Sequence, residues 1–457
     1  MRENSLGYEN ISKLIRKFAM PSIVGMMVTS IYNIVDQIFI GQAVGELGNA
    51  ATNIAFPITT VSLAIALMFG IGGAANFNLA MGQKRMEKAP YYVGNSFMMQ
   101  IICGCVLLLV VELFMEPILL ACGSPDNVLP YAVDYMRIIA AGFPFVMMTI
   151  GGGHLIRADG SPGRAMLFNL SGAIINVFLD YLLTMVIQWG IAGAAYATLI
   201  GQVFSSILVL IYMSHYKTVK LGFNHLLPRA EILKKIMMLG ISSFVNQIAM
   251  MLVQVVSNNL LKHYGAMSVY GSSIPIACAG IVMKINQLVF SIVIGIGQGC
   301  QPIFSYNYGA GKFDRVRETY KRAITAGILV SAVAFAIIQL FPRQIFSIFG
   351  NGSETYLEYG VTYLRIFMMF LVLSALQPIT NTFFSAIEKP KKGMIIALVR
   401  QVLILLPAML ILTPIVGVNG VMYAGPIADV ASGILIVIMV YREFRNMKKT
   451  ERKRSKA

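Results

Sequence analysis

About a dozen apolar stretches, each long enough to cross a bilayer, follow one another along the chain, and nothing else in the sequence constrains its fold as tightly. A spanning helix needs about 20 apolar residues. The stretches fall at roughly 18–41, 53–80, 91–111, 132–155, 165–186, 190–213, 236–261, 273–303, 323–341, 360–384, 393–413 and 418–441. Only 12% of the residues are charged, about half of what a water-covered surface uses. That excludes a soluble globular enzyme. Long continuous runs, in place of short alternating ones, also exclude a membrane β-barrel. The sequence predicts an all-α polytopic membrane protein with twelve transmembrane helices.

The placement of charge then orients the chain. It carries 36 Lys and Arg against 20 Asp and Glu. Of the basic residues, Lys262 and Arg343 fall in outer loops, and Arg137, Lys284, Arg365 and Arg400 fall within spans. All the others lie on the side of the two termini. Basic loops stay in the cytoplasm, so both termini are expected there, in a multi-pass protein of the cell membrane. The positive excess reads as contact with anionic lipid, with residues 442–457 a solvated basic tail, and not as a nucleic-acid surface. The five cysteines sit mostly in apolar runs without disulfide spacing and read as small buried residues. The first apolar run is long and carries Asp36, so it reads as a retained helix.

The second half of the chain echoes the first. Tyr135-Met-Arg-Ile-Ile139 recurs as Tyr363-Leu-Arg-Ile-Phe367, and the same shift carries Pro162 onto Pro390. Gly190-Ile-Ala-Gly-Ala-Ala-Tyr-Ala197 recurs as Gly417-Val-Asn-Gly-Val-Met-Tyr-Ala424, and Phe56-Pro-Ile58 has a looser echo in Ile274-Pro-Ile276. Six helices per half return the chain to its starting side, so the halves are parallel repeats about a pseudo-two-fold axis along the membrane normal. The expected organisation is an N-terminal lobe (1–214), a cytoplasmic linker (215–235), a C-terminal lobe (236–441) and the basic tail. Two lobes facing a cleft suit alternating access.

Ionisable groups in hydrocarbon cost several kcal/mol, so each needs a partner or a task. Asp36, Asp180 and Asp429 lie within spans. At about 1.5 Å per residue, Asp36, Asp180 and Thr198 all reach the outer half of the first lobe. Asn176, one turn from Asp180, shares its helical face, which continues through Gly172, Ala173 and Asn169. Two carboxylates, an amide and a hydroxyl at one depth supply oxygen ligands for a hard monovalent cation. They equally make a proton site, since neighbouring carboxylates share a proton readily, or a hydrogen-bonded network that fixes packing. In the second lobe, Lys284 and Asp429 both fall near mid-membrane. They are expected to form an ion pair there, as a structural lock or as a contact for substrate. There is no GxxxxGK loop and no HExxH, so ATP-driven transport and metal-dependent catalysis lack their parts and no enzyme is expected.

Taken together, these residues resemble the multidrug and toxic compound extrusion (MATE) family. Pro21…Tyr32-Asn-Ile-Val-Asp36-Gln-Ile-Phe-Ile-Gly41 is similar to the family's opening pattern. Asn176-Val-Phe-Leu-Asp180 and Gly190-Ile-Ala-Gly-Ala-Ala-Tyr-Ala-Thr198 are close to its N-x-x-L-D and G-x-x-G-A-A-x-A-T. Gln301-Pro-Ile-Phe-Ser-Tyr-Asn-Tyr-Gly-Ala-Gly311 looks like the eighth-helix exit of MepA-like members. The resemblance implies a twelve-helix, two-lobed antiporter, a monomer among membrane lipids. It would export mostly cationic, lipophilic drugs in exchange for Na+ or H+ and need no other cofactor. Carried over by position, Asp36, Asn176, Asp180 and Thr198 would hold the coupling cation, and Pro21 would be the bend point of the first helix. The NorM-like branch also uses acids in its seventh and tenth helices. Here the seventh has Asn246 and Gln247, and the tenth has no carboxylate past Arg365, which places the chain nearer the DinF branch. A lipid-linked precursor flippase of the same superfamily is the alternative; it would line its cleft with cations, for which Lys284 and Arg400 are the deep candidates.

Overall fold

The computed structural model describes residues 5–44, 46–122, 124, 126, 128–271, 273–347 and 354–454, and among these every regular element is a helix. The first six spans are Ile11–Ala43, Glu46–Gly82, Ala89–Leu113, a bent pair Leu129–Ala141 and Phe143–Ala158, Pro162–Asp180 with a π-helical continuation Tyr181–Val186, and Gly190–Ser214. The second six begin with Ala230–Ala266, Ser273–Gly309 and Phe313–Leu340. A second bent pair follows, Glu354–Phe367 with Leu371–Ser374 and Leu376–Ala386, then Pro390–Leu398 with a π-helical Val399–Leu405 and Leu406–Val416, and finally Gly420–Arg454.

The last two spans form a hairpin although helical hydrogen bonding is almost continuous between them. Gly417 turns the chain at φ 71°, a left-handed value that a side chain would resist. Arg400 then meets Asp429, and Lys389 and Lys392 meet Glu443, as antiparallel rungs. With the hairpin counted as two, the spans number twelve, as the apolar runs require.

The duplication is visible in the backbone as well as in the residues. The fourth and tenth spans each bend by 52° at a short break. Left-handed turns recur at equivalent joints: Lys84 and Gly311, Gly160 and Glu388, Gly190 and Gly417. Pro162 and Pro390 each open a helix, where the missing N–H costs nothing.

The two lobes are sealed on the side where Ser5 and Arg454 lie. There the first span crosses the eighth, and the second crosses the seventh and eighth, with glycine at each approach. A Cβ on Gly72 would lie 2.0 Å from the Ile236 carbonyl, and one on Gly240 would lie 1.9 Å from that of Met68. Gly82 and Gly309 bring the second span onto the eighth, and Gly295 and Gly299 seat on Ile23 and Ala19. Hydrogen bonds that cross between lobes cluster at the same end. Gln301 donates to the Ile71 carbonyl at 3.0 Å, Asn76 to that of Lys235 at 3.0 Å, and Asn307 to that of Leu6 at 2.9 Å.

Two boundaries differ from the sequence reading. The seventh span starts at Ala230, inside the stretch expected as linker, because Asn95 on the third span holds the preceding turn. Its amide donates to the carbonyls of His225 (2.9 Å) and Leu227 (3.0 Å) and accepts from the Arg229 N–H (2.7 Å). The expected basic tail is not a separate solvated run through Arg454. The last helix continues through it, with Glu443 fully buried between two lysines and Glu451 paired to Arg317 at 2.9 Å.

Candidate functional site

In the first lobe, the fifth span is held against the first by Asn169. Its amide donates to the Gly25 carbonyl at 3.2 Å and to the Thr29 hydroxyl at 2.9 Å. The fifth span also lies close on the sixth, where Gly172 and Gly201 let the backbones touch; a Cβ on Gly201 would sit 2.7 Å from the Gly172 carbonyl. The first and fifth spans run the same way, so the turns beyond this clamp bring Asp36 beside Asp180. The two carboxylates are close enough to feel each other's charge. Asn176, one helical turn before Asp180 on the same face, donates to the Thr198 hydroxyl at 3.2 Å. The four residues that the sequence singled out therefore meet in one cluster.

What distinguishes the cluster from a packing network is its unspent oxygens. Asp36 Oδ1, both oxygens of Asp180, Asn176 Oδ1 and Thr184 Oγ1 are all buried with no hydrogen-bond partner. A polar atom in that position costs about 1–3 kcal/mol, more when charged, and native structures hold few of them. Those of Asp36, Asn176 and Asp180, beside the Thr198 hydroxyl, form a donor set of carboxylate, amide and hydroxyl oxygens, which suits a hard monovalent cation or a shared proton. Thr184 was not anticipated from the sequence. It follows Asn176 and Asp180 at the same four-residue step and lies in the π-helical turn that starts directly after Asp180. The hydroxyls of Tyr32 and Tyr135 also lie near enough to sense both carboxylates.

The first span passes through Pro21 without a break in its helix. The proline removes one backbone bond. Beyond it Ser22 donates to the Phe18 carbonyl at 2.8 Å and Thr29 to that of Gly25 at 2.9 Å.

The second lobe departs from the reading above. Asp429 pairs with Arg400, not with Lys284. Arg400 Nε donates to Asp429 Oδ1 at 2.9 Å, and its NH2 group lies 2.8 Å from the same oxygen. The fork of a guanidinium on the eleventh span reaches the carboxylate across the hairpin, whereas Lys284 lies on the eighth span with no acid within ion-pairing distance among the described residues. The repeat shift places Ile404 and Ala408 where Asn176 and Asp180 stand, so the acidic cluster has no counterpart here. On the seventh span, Asn246 is engaged with the tenth span and with its own helix: Gln377 donates to Asn246 at 3.3 Å, and Asn246 to the Met250 sulfur at 3.7 Å.

The MatE family model matches residues 21–182 and 242–410, one segment in each half and together well over half of the chain. The chain belongs to the MatE family. As a MatE-family chain it is a multi-span membrane protein of a transporter family. It is 25% identical over 446 residues to the multidrug export protein MepA of Staphylococcus haemolyticus, covering 96% of each chain. It is 24% identical over 445 residues to MepA of Staphylococcus aureus (strain NCTC 8325 / PS 47), again over 96% of each. Among solved structures, an outward-facing MATE-family multidrug resistance transporter of the MOP superfamily superposes with a TM-score of 0.90 at 22% identity, covering 98% of this chain and 99% of that one. A MATE transporter in a bent conformation gives 0.86 at 23% identity, over 96% and 97%. At that identity the likeness establishes the twelve-helix, two-lobed MatE fold.

Proposed function

We propose that this protein exports small amphipathic, mostly cationic compounds across the cell membrane by alternating access, drawing on a Na+ or H+ gradient. The observation that carries this reading is the set of unpartnered buried oxygens on Asp36, Asn176, Asp180 and Thr184. Two neighbouring carboxylates away from water repel unless a cation or a proton lies between them. Binding the ion there would tighten the first and fifth spans, and losing it would let them part, with Pro21 as the bend point of the first helix. Thr198 would position Asn176. Both termini would face the cytoplasm, as the basic loops require, so the glycine seal closes the cytoplasmic side and the cleft faces outward. The relatives named as multidrug export proteins support the substrate class.

A monomer with its own two lobes suffices for this cycle, and membrane lipids are its only constant neighbours. The flippase reading loses ground in the second lobe, since Arg400 is neutralised by Asp429 and leaves one deep cation for a pyrophosphate. Efflux from proteoliposomes under an imposed Na+ gradient or an imposed pH gradient tests the proposal. One gradient should drive transport. Asp36→Asn and Asp180→Asn should abolish it while the protein still inserts and elutes as a single species. Full gradient-driven efflux by both variants would refute the site.

A further inference from the structure

The pairing of Arg400 with Asp429 leaves Lys284, among the described residues, as a cation without an acid, and the glycine contacts fix its depth. Gly299 seats on Ala19 and Gly295 on Ile23, so each step of four outward along the eighth span matches a step of four outward along the first. Eleven residues further out from Gly295, Lys284 comes level with Ile34, two residues from Asp36. Lys284, Leu288, Ser291, Gly295 and Gly299 follow steps of four and three, which is one face of a helix. That face is shut where it meets the first span and opens outward: Ser291 is 2% exposed, Leu288 is 36% exposed, and Lys284 is partly buried. The opposite face, with Cys278, Val282 and Ile285, is buried in the second lobe. Lys284 therefore stands on the second-lobe wall of the cleft, at the depth at which the first lobe carries its two acids.

We infer that Lys284 is the anion-recognising residue of the substrate cleft, and that the compounds it selects are zwitterions: amphipathic molecules with a cationic group and a carboxylate. An ammonium in a partly dry cleft attracts an anion far more strongly than one in bulk water. A free monocation gains nothing from it and is repelled. A zwitterion turns its carboxylate to the second lobe and its positive end toward the acidic first lobe, and so satisfies the amine that the fold leaves unpaired. This deepens the export reading and rests on it.

The test uses two dyes that differ in one group, rhodamine B, which carries a free carboxylate, and its ethyl ester, which is a plain cation. Binding to purified full-length protein and uptake into inverted vesicles would be measured for the parent chain, Lys284→Met and Lys284→Arg. Lys284→Met keeps an unbranched chain only one atom shorter and removes the charge. It should weaken rhodamine B by about tenfold, the value of one charge-assisted hydrogen bond, while the ester is bound as well or better. Lys284→Arg should retain the preference for the acid, which also shows that the position tolerates substitution. If the parent handles both dyes and Lys284→Met changes neither, or weakens both equally, the inference is overturned and the export reading stands. If the parent binds and moves neither dye, the export reading fails and this inference with it.

Discussion

Substituting Gly72 tests how the two lobes are held together. Its missing Cβ would fall 2.0 Å from the Ile236 carbonyl oxygen and 2.9 Å from that carbonyl carbon. Side-chain carbons do not approach an oxygen closer than about 3 Å, so Gly72→Ala must push the second and seventh spans apart by about 1 Å at their crossing. Both partners there are backbone, which cannot swing aside as a side chain would. Overpacking of this kind costs about 1–3 kcal/mol. The strain exists only while the seal is closed, so it shifts the closed-to-open ratio by about five- to 150-fold toward opening on the side of the chain ends. Gly240→Ala, with its Cβ 1.9 Å from the Met68 carbonyl oxygen, should act in the same way from the other side of the crossing. Gly163→Ala is the control, because nothing lies within 4 Å of its Cβ position. Spin labels on the exposed Lys88 and Lys234, in a background free of the native cysteines, report the separation of the lobes through their distance distribution. Longer distances should gain population in the two seal variants and not in the control. An unchanged distribution in both seal variants would show that the crossing does not govern the closed state.

Two further outcomes follow from the site and from its counterpart. Thr184→Val removes an unpartnered hydroxyl without changing volume. If the ion is Na+, transport should need several-fold more of it, and if the ion is H+, the pH profile should be untouched; loss of folding yield in place of either would make Thr184 a packing residue. Arg400→Met leaves Asp429 buried and unpaired, with its side chain 5% exposed. The thermal midpoint in detergent should fall by the equivalent of about 3 kcal/mol, and adding Asp429→Asn should restore most of it. Equal midpoints for the single variant and the parent would argue against a buried pair at this place.

The number of spans, their repetition and the residues of the first-lobe cluster were all legible in the amino-acid sequence, because each depends on local pattern. Apolar run length sets whether a helix crosses a membrane. The four-residue step from Asn176 to Asp180 sets which side chains share a face, whatever surrounds them. Depth follows from the count of residues to each helix end, which puts Asp36, Asp180 and Thr198 at one level. The same step reaches Thr184.

Partners across helices were another matter. Lys284 and Asp429 share a depth, yet depth fixes one coordinate of three. Which faces meet is set by how the eleventh and twelfth spans fold back at Gly417, and that hairpin hands Asp429 to Arg400. Arg137 and Arg365 show the same limit: each has acids near in sequence, but Arg137 lies 3.8 Å from Glu112 on the third span, and Arg365 donates to the Gln339 carbonyl at 3.1 Å. The seal could not be read either, since a glycine in an apolar run has the same sequence whether lipid or another backbone lies against it. Only the crossing of the second span with the seventh decides that Gly72 must have no side chain. Local spacing is written in the order of residues, whereas the angle and rotation at which two helices pack come from the sum of many weak contacts over both surfaces.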